Sequence, residues 1–193
     1  MTGELNAARE MQKSILPNPE SIANLPSNID VHAVLEPAKE VGGDFYDLFM
    51  IDDHRFFLLI ADVSGKGVPA SLFMALSKAF CKSAVMNDNG SVADLIGVAN
   101  HQISMDNPSS MFVTAVAGIL DTRTGEVQFC NAGHDTPYRC RQGSAPQPLE
   151  SEGGLPLGIM EGFTYPTEHE TLQPGDALVL ITDGVSEAIS DAD

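Results

Sequence analysis

The alternation of apolar and polar positions divides the chain into many short strands and three helical stretches. From Glu4 to Leu16, residues Leu5, Ala8, Met11 and Ile15 recur at helical spacing, and Pro17 stops the run. That stripe fits a helix packed on the domain's own core, and equally the end of a signalling helix from an upstream sensor. Pro17 to Asn28, rich in proline and asparagine, predicts a loop. Val31 to Leu35 predicts a short strand. Phe45 to Ile51 and Arg55 to Asp62 predict a hairpin around Asp52-Asp53-His54. Pro69 to Met86 is strongly helical, with Leu72, Ala75, Leu76, Ala79 and Phe80 on one face and Pro69 suited to the first turn. Asn87 to Gly90 ends it. Ser91 to about Ser104 predicts a second helix capped by Ser91.

The second half reads as strands. Met111 to Leu120 and Glu126 to Asn131 predict a hairpin around residues 121–125, and Thr136 to Arg141 another strand. Gln142 to Leu157 is a Gly-, Pro- and Ser-rich loop. Phe163 to Thr171 and Asp176 to Thr182 predict strands around Gln173-Pro174-Gly175. Hairpins on either side of two paired helices indicate an α+β domain with mainly antiparallel sheet. The strand spacing gives no βαβ nucleotide-binding fold, and no internal repeat is present.

Composition narrows the function classes. A chain of 193 residues with 43% hydrophobic and 19% charged residues has a globular composition, large enough for one domain with a core. Ten basic against 27 acidic residues give a net charge of −17. That argues against a nucleic-acid or anionic-membrane surface. It is compatible with cation binding, but a generally acidic soluble surface is the commoner cause of such a charge. Cys81, Cys130 and Cys140 are widely spaced with no CxxC pair, which fits free thiols in the cytoplasm and gives no structural zinc. The longest apolar stretch, Met111 to Leu120, is too short to span a bilayer, and the first residues lack the pattern of a signal peptide.

Candidate chemistry lies in three aspartates beside glycines: Asp44 after Gly42-Gly43, Asp62 before Val63-Ser64-Gly65, and Asp183 before Gly184. Asp62 and Asp183 directly follow apolar runs, Phe56 to Ile60 and Ala177 to Ile181, that read as buried strands. A carboxylate at the end of a buried strand needs a positive partner, and this chain is poor in Lys and Arg. A hard divalent cation such as Mg²⁺ or Mn²⁺ meets that need through oxygen ligands. Each Asp-Gly alone is also an ordinary turn. Asp62 ends the strand that neighbours Asp44, so the two aspartates can lie side by side. Asp183 comes from a distant strand, so a shared site requires two sheets to pack together. Asp47, three residues after Asp44, points to the opposite face and reads as structural. Ser64-Gly65-Lys66-Gly67 lacks the spacing of a phosphate-binding Walker loop. His134, in the turn Asn131-Ala132-Gly133-His134, reads as structural or solvated. No serine has a histidine–carboxylate arrangement to make it a nucleophile.

Taken in order, the motifs resemble the bacterial SpoIIE/RsbU-type phosphatases, a branch of the metal-dependent (PPM, type 2C) serine/threonine protein phosphatases. The pieces are Ala8 to Pro17 (AREMQKSILP), Glu40 to Asp47 (EVGGDFYD), Ala61 to Pro69 (ADVSGKGVP), Phe112 to Gly118 (FVTAVAG), Leu120 to Gly125 (LDTRTG), Asn131 to His134 (NAGH), Leu155 to Gly158 (LPLG), Leu172 to Asp176 (LQPGD) and Thr182 to Ala188 (TDGVSEA). The resemblance implies an α–β–β–α sandwich of two mainly antiparallel sheets, in residues 18–193, behind a linker or signalling helix in residues 1–17. It implies two Mn²⁺ or Mg²⁺ ions between the sheets. Asp62 would bridge them, the Val63 carbonyl would bind one, Asp183 the other, and Asp44 would hold water or a weaker ion. The ions would acidify a bridging water for in-line attack on phosphorus, with no phosphoenzyme.

Substrate and partners follow from the same resemblance. They are a phosphorylated STAS-type anti-sigma-factor antagonist and an upstream sensor or receiver domain, with a homodimer as a further expectation. The helix from Pro69 to Met86, directly after Asp62, is placed to couple a partner to the metal site. Two departures stand out. Ser64 occupies the position of the histidine that type 2C enzymes use as general acid. The family's last metal-binding aspartate follows the Thr-Asp-Gly motif at a distance that Asp191 and Asp193 do not match, so its last strand and helix are expected to be lacking here. A non-catalytic phosphatase-like scaffold and a small-molecule phosphohydrolase are the rival readings.

Overall fold

The computed structural model describes residues 2–37, 41–105 and 107–186. Glu40 of the first glycine motif, and Asp191 and Asp193, lie outside the described residues. The chain opens with helix α1 (Thr2–Ile15) and a 3-10 turn at Pro19–Ser21. Strands β1 (Phe45–Met50) and β2 (Arg55–Val63) follow, then helices α2 (Val68–Asn87) and α3 (Val92–Ser104). The second half holds β3 (Val113–Asp121), β4 (Glu126–Ala132), β5 (Tyr138–Cys140), β6 (Gln147–Pro148), β7 (Glu168–Thr171), β8 (Ala177–Val179) and the one-turn helix α4 (Asp183–Ser186).

These strands form two antiparallel sheets. The larger runs β1-β2-β3-β4-β7 and the smaller β6-β5-β8. In β2 the side-chain period of two assigns alternate residues to two cores. Phe57, Leu59, Ala61 and Val63 meet the helices, while Phe56 and Leu58 meet the second sheet. The helical side buries Met74, Cys81 and Val85 of α2 with Leu95, Ile96 and Ile103 of α3. The sheet–sheet side joins Leu120, Val127 and Phe129 to Leu149, Leu178 and Leu180. Arg139 of β5 and Glu170 of β7, 2.7 Å apart, bridge the two sheets. Helix α3 starts on a complete capping box, in which Ser91 and Asp94 satisfy each other's backbone N–H.

Several sequence expectations are corrected. Val31 to Leu35 is extended and alternates between half-buried and exposed, but joins no ladder. Val31 instead covers the edge of the sheet–sheet core beside Ile22, Leu25 and Ile29. The strands expected on either side of Gln173-Pro174-Gly175 do not pair. Strand β7 adds to the large sheet beside β4, and β8 to the small sheet beside β5. A turn dipeptide marks where the chain reverses, and partner choice is left to packing. The run 177–181 is half exposed: Leu178 and Leu180 point inward while Val179 is 39% exposed. Of the apolar face named for α2, Leu72 and Leu76 are turned outward, 64% and 54% exposed, while Phe80 packs against the core. Its buried face carries Ala70, Met74, Ser77, Lys78 and Cys81. Lys78 lies inside because Asp47 of β1 sits 2.9 Å away across the helix–sheet boundary. In α1 the expected stripe is also rotated: Met11 is 70% exposed, and the deepest residue is Gln12.

Candidate metal centre

The three aspartates collect at one end of the space between the sheets. Asp62 follows Phe56, Leu58 and Ile60 at period two, so its carboxylate lies on the sheet–sheet face of β2. The β1–β2 register pairs Phe45 with Ala61 and brings Asp44 beside Asp62. Leu178 and Leu180 carry the chain along the opposing sheet to Asp183, the first residue of α4. Thr182 Oγ1 donates to Asp44 Oδ2 at 3.2 Å and links the two sheets within the site. Gly43 is needed for this closeness. A Cβ there would stand 2.7 Å from the Val63 carbonyl oxygen and 3.1 Å from Asp62 Oδ1.

The electrostatics are one-sided. Burial pushes the Asp62 carboxyl up to about 7, with further upward pressure from a hydrogen bond and charge repulsion with Asp44 and from the charge of Asp183. Against these stands only a backbone N–H at Val63. Carboxylates crowded in this way disfavour their own ionisation unless a cation joins them. Among the described residues no three His, Cys, Asp or Glu side chains stand close enough to hold a metal by themselves. The donors that the aspartates offer are carboxylate oxygens. That set suits Mg²⁺ or Mn²⁺, which keep several waters and need few protein ligands.

Two further residues stand beside Asp62: Thr114 from β3, and His134, which the sequence reads as structural or solvated, from the turn after β4. Thr114 is the cross-strand partner of Asp62. Its Oγ1 lies 2.8 Å from His134 Nδ1 and 3.4 Å from the Asp62 carbonyl oxygen. Asn131 holds the His134 backbone at both ends, accepting from its N–H at 2.8 Å and donating to its carbonyl at 3.1 Å. Burial lowers the His134 pKa, opposed by Asp135, the Ile181 carbonyl, Asp44 and Asp183. His134 Nε2 is buried without a formed hydrogen bond. The compact turn Asn-Ala-Gly-His was legible as a turn. That it delivers an imidazole to the aspartates required the packing of β4 beside β3. Ser64 is committed elsewhere: its Oγ accepts from Phe112 N–H and its N–H donates to the Phe112 carbonyl, both at 2.9 Å. Asp47 faces away from the other aspartates, toward Lys78.

Two antiparallel sheets packed face to face beneath a helical layer are the architecture of the PP2C-type phosphatase domains. The SiaA-PP2C domain of Pseudomonas aeruginosa aligns over 92% of this chain and 69% of that one, with a TM-score of 0.74 at 24% identity. The RsbU and RsbW domains of Rv1364c from Mycobacterium tuberculosis align over 77% of this chain and 40% of that one, with a TM-score of 0.66 at 29% identity. The chain belongs to the SpoIIE family: residues 52–193 match the family described as Stage II sporulation protein E. Among curated relatives, the phosphoserine phosphatase RsbU of Bacillus subtilis is 29% identical over 95% of this chain and 53% of its own length. Protein IcfG of Synechocystis is 28% identical over 97% of this chain and 33% of its own. The chain thus spans about a third to a half of the curated relatives it matches.

Proposed function

We propose that this chain is the catalytic domain of a metal-dependent serine phosphatase that removes phosphate from phosphoserine or phosphothreonine on a regulatory protein. The observation that carries the reading is Asp62: half-buried, raised to about 7, and pressed by two further aspartates. Membership of a family whose relatives RsbU and RsbP are named phosphoserine phosphatases supports the reaction class. The proposed ligands are Asp62, the Val63 carbonyl and Asp183, with Asp44 holding water or a weaker ion. Two Mn²⁺ or Mg²⁺ ions, when bound, would acidify water and neutralise phosphoryl charge. Magnesium is present in the related fold of RsbX, 20% identical with a TM-score of 0.57.

The chain's own residues supply orientation. Thr182 donates to Asp44 and fixes the rotamer that faces the opposing sheet. Thr114 and His134 form a polar pair against the carbonyl of Asp62. Ser64, hydrogen-bonded to Phe112 on both sides, holds the end of β2 to β3, so leaving-group protonation is not assigned to it. A phosphorylated STAS-type protein is the proposed substrate, and an upstream sensor or receiver domain the proposed regulator. The fusion of RsbU and RsbW domains in one relative, and the likeness to RsbU, support a place in sigma-factor control. No described helix is long and apolar enough to cross a membrane. The proposed place of action is the cytoplasm, which the free thiols of Cys81, Cys130 and Cys140 fit.

The test is phosphate release from a phosphoserine STAS-type protein with Mn²⁺, with EDTA, and with Asp62→Asn. Release that needs Mn²⁺ and falls by at least about a hundred-fold in the variant is expected. Release from small phosphate esters alone would favour a small-molecule phosphohydrolase. No release from either, with Asp62→Asn behaving as wild type in partner binding, would favour a scaffold.

A further inference from the structure

Helix α1 is hydrogen-bonded through Gln12 to the turn that precedes Asp44. Gln12 is 4% exposed. Its Nε2 donates to the Gly42 carbonyl at 2.9 Å and its Oε1 accepts from the Gly42 N–H at 3.1 Å. One carboxamide thus satisfies both backbone groups of one residue, as a neighbouring strand would. Gly42 lies just before β1 and outside every ladder. The next residue, Gly43, has its backbone packed on the Val63 carbonyl and on Asp62 Oδ1. The residue after that is Asp44. Three consecutive residues therefore connect α1 to three of the four proposed metal ligands. A second tie runs in parallel, from Tyr46 Oη to the Pro17 carbonyl at 3.1 Å.

We propose that Gln12 is a positioning residue for the metal centre: it holds the Gly42-Gly43 turn against Asp62 and Val63 and so sets where Asp44 stands. The proposal rests on the metal-dependent reading of the site. A buried carboxamide with both hydrogen bonds made to one backbone unit favours one distance between helix and turn. A helix that only covered the core would need no buried polar side chain, and a buried carboxamide is retained where its hydrogen bonds fix a position. Residues 1–17 thereby act as part of the site rather than as a detachable linker.

The experiment uses the 193-residue chain and three readouts: Mn²⁺ affinity from the free-ion electron paramagnetic resonance signal, hydrogen exchange of the Gly42 amide by NMR, and phosphate release as a function of Mn²⁺. Gln12→Ala removes both hydrogen bonds. Gln12→Glu keeps the acceptor for the Gly42 N–H and sets a carboxylate against the Gly42 carbonyl. Met11→Ala, on the exposed side of the same helix, is the control. Gln12→Ala is expected to weaken Mn²⁺ binding about ten-fold, the equivalent of one lost buried hydrogen bond. Gly42 exchange should accelerate by a similar factor, and kcat at saturating Mn²⁺ should stay within about two-fold of wild type. Gln12→Glu should share the metal defect, and it carries the test if Gln12→Ala does not fold. Folded Gln12 variants with wild-type Mn²⁺ affinity and wild-type Gly42 exchange would overturn the proposal. A wild-type chain that binds no Mn²⁺ would overturn the metal reading and this proposal's link to it. Gly42 exchange would then show separately whether Gln12 holds the turn.

Discussion

Asp62 is the residue on which charge, burial and position meet. In an unfolded chain its carboxyl titrates near 3.8, and in the fold it is raised to about 7. Between those values the folded chain keeps a proton that the unfolded chain has released. Without metal, stability therefore declines as pH rises from about 4 to about 7, and stays reduced above. A divalent cation reverses the sign by favouring the ionised form. In EDTA, the melting temperature should fall from about pH 5 to about pH 8 by more in wild type than in Asp62→Asn, the difference being on the order of 2–4 °C. Mn²⁺ should raise it at pH 8 in wild type alone. Equal pH dependence in the two proteins would remove Asp62 from the account. The aspartates were legible because a carboxylate that ends an apolar run is an anomaly in sequence. Gln12 and His134 were not, because a polar residue in a helix or turn acquires meaning only from what faces it.

Helix α2 illustrates what periodicity can and cannot assign. Apolar residues occur around much of its circumference, so counting them does not select the buried face. The sheet selects it through Asp47, which points from β1 into the helical core with 1% of its side chain exposed. Lys78 meets it at 2.9 Å, an ion pair that is not a well-aligned hydrogen bond. Removing one partner leaves a buried charge, so Lys78→Met should destabilise the fold by about 3–5 kcal/mol in urea unfolding. Replacing both, as Lys78→Met with Asp47→Leu, should recover most of that loss. A double variant as unstable as the single would show that the pair is not the cause. The consequence of this geometry is an outer face of Val68, Leu72 and Leu76. Helix α3 was legible to the residue, because Ser91 and Asp94 are local in sequence and build their cap without help from the rest of the fold.

At the scale of the molecule, the site exists because two sheets close at one end. On the large sheet's side of that junction, the turn that carries Asp44 packs at Gly43 against the backbone of Val63 at the end of β2, so neither has a flexible atom to yield. Gly43→Ala should therefore weaken Mn²⁺ binding and destabilise the fold by about 1–3 kcal/mol. Gly42→Ala is the internal comparison, because a Cβ there meets nothing closer than Pro37 at 3.6 Å. Metal titration and urea unfolding of both variants check this, and equal effects would mean that loop flexibility rather than contact distance is decisive.

What the sequence determined by itself is local: the helices, the β1–β2 and β3–β4 hairpins, the cap of α3, and the ordered aspartate–glycine motifs that carry the family resemblance. These depend on neighbours along the chain, whose periodicity and turn chemistry are written in consecutive residues. The tertiary structure decided which sheet each late strand joined, which face of α2 turned inward, that Thr114 and His134 stand by Asp62, and that Gln12 meets Gly42. Those outcomes depend on contacts between residues 20 to 138 positions apart. Hydrogen bonds and burial at such separations have no signature in local spacing, because the partner supplies half of the reason.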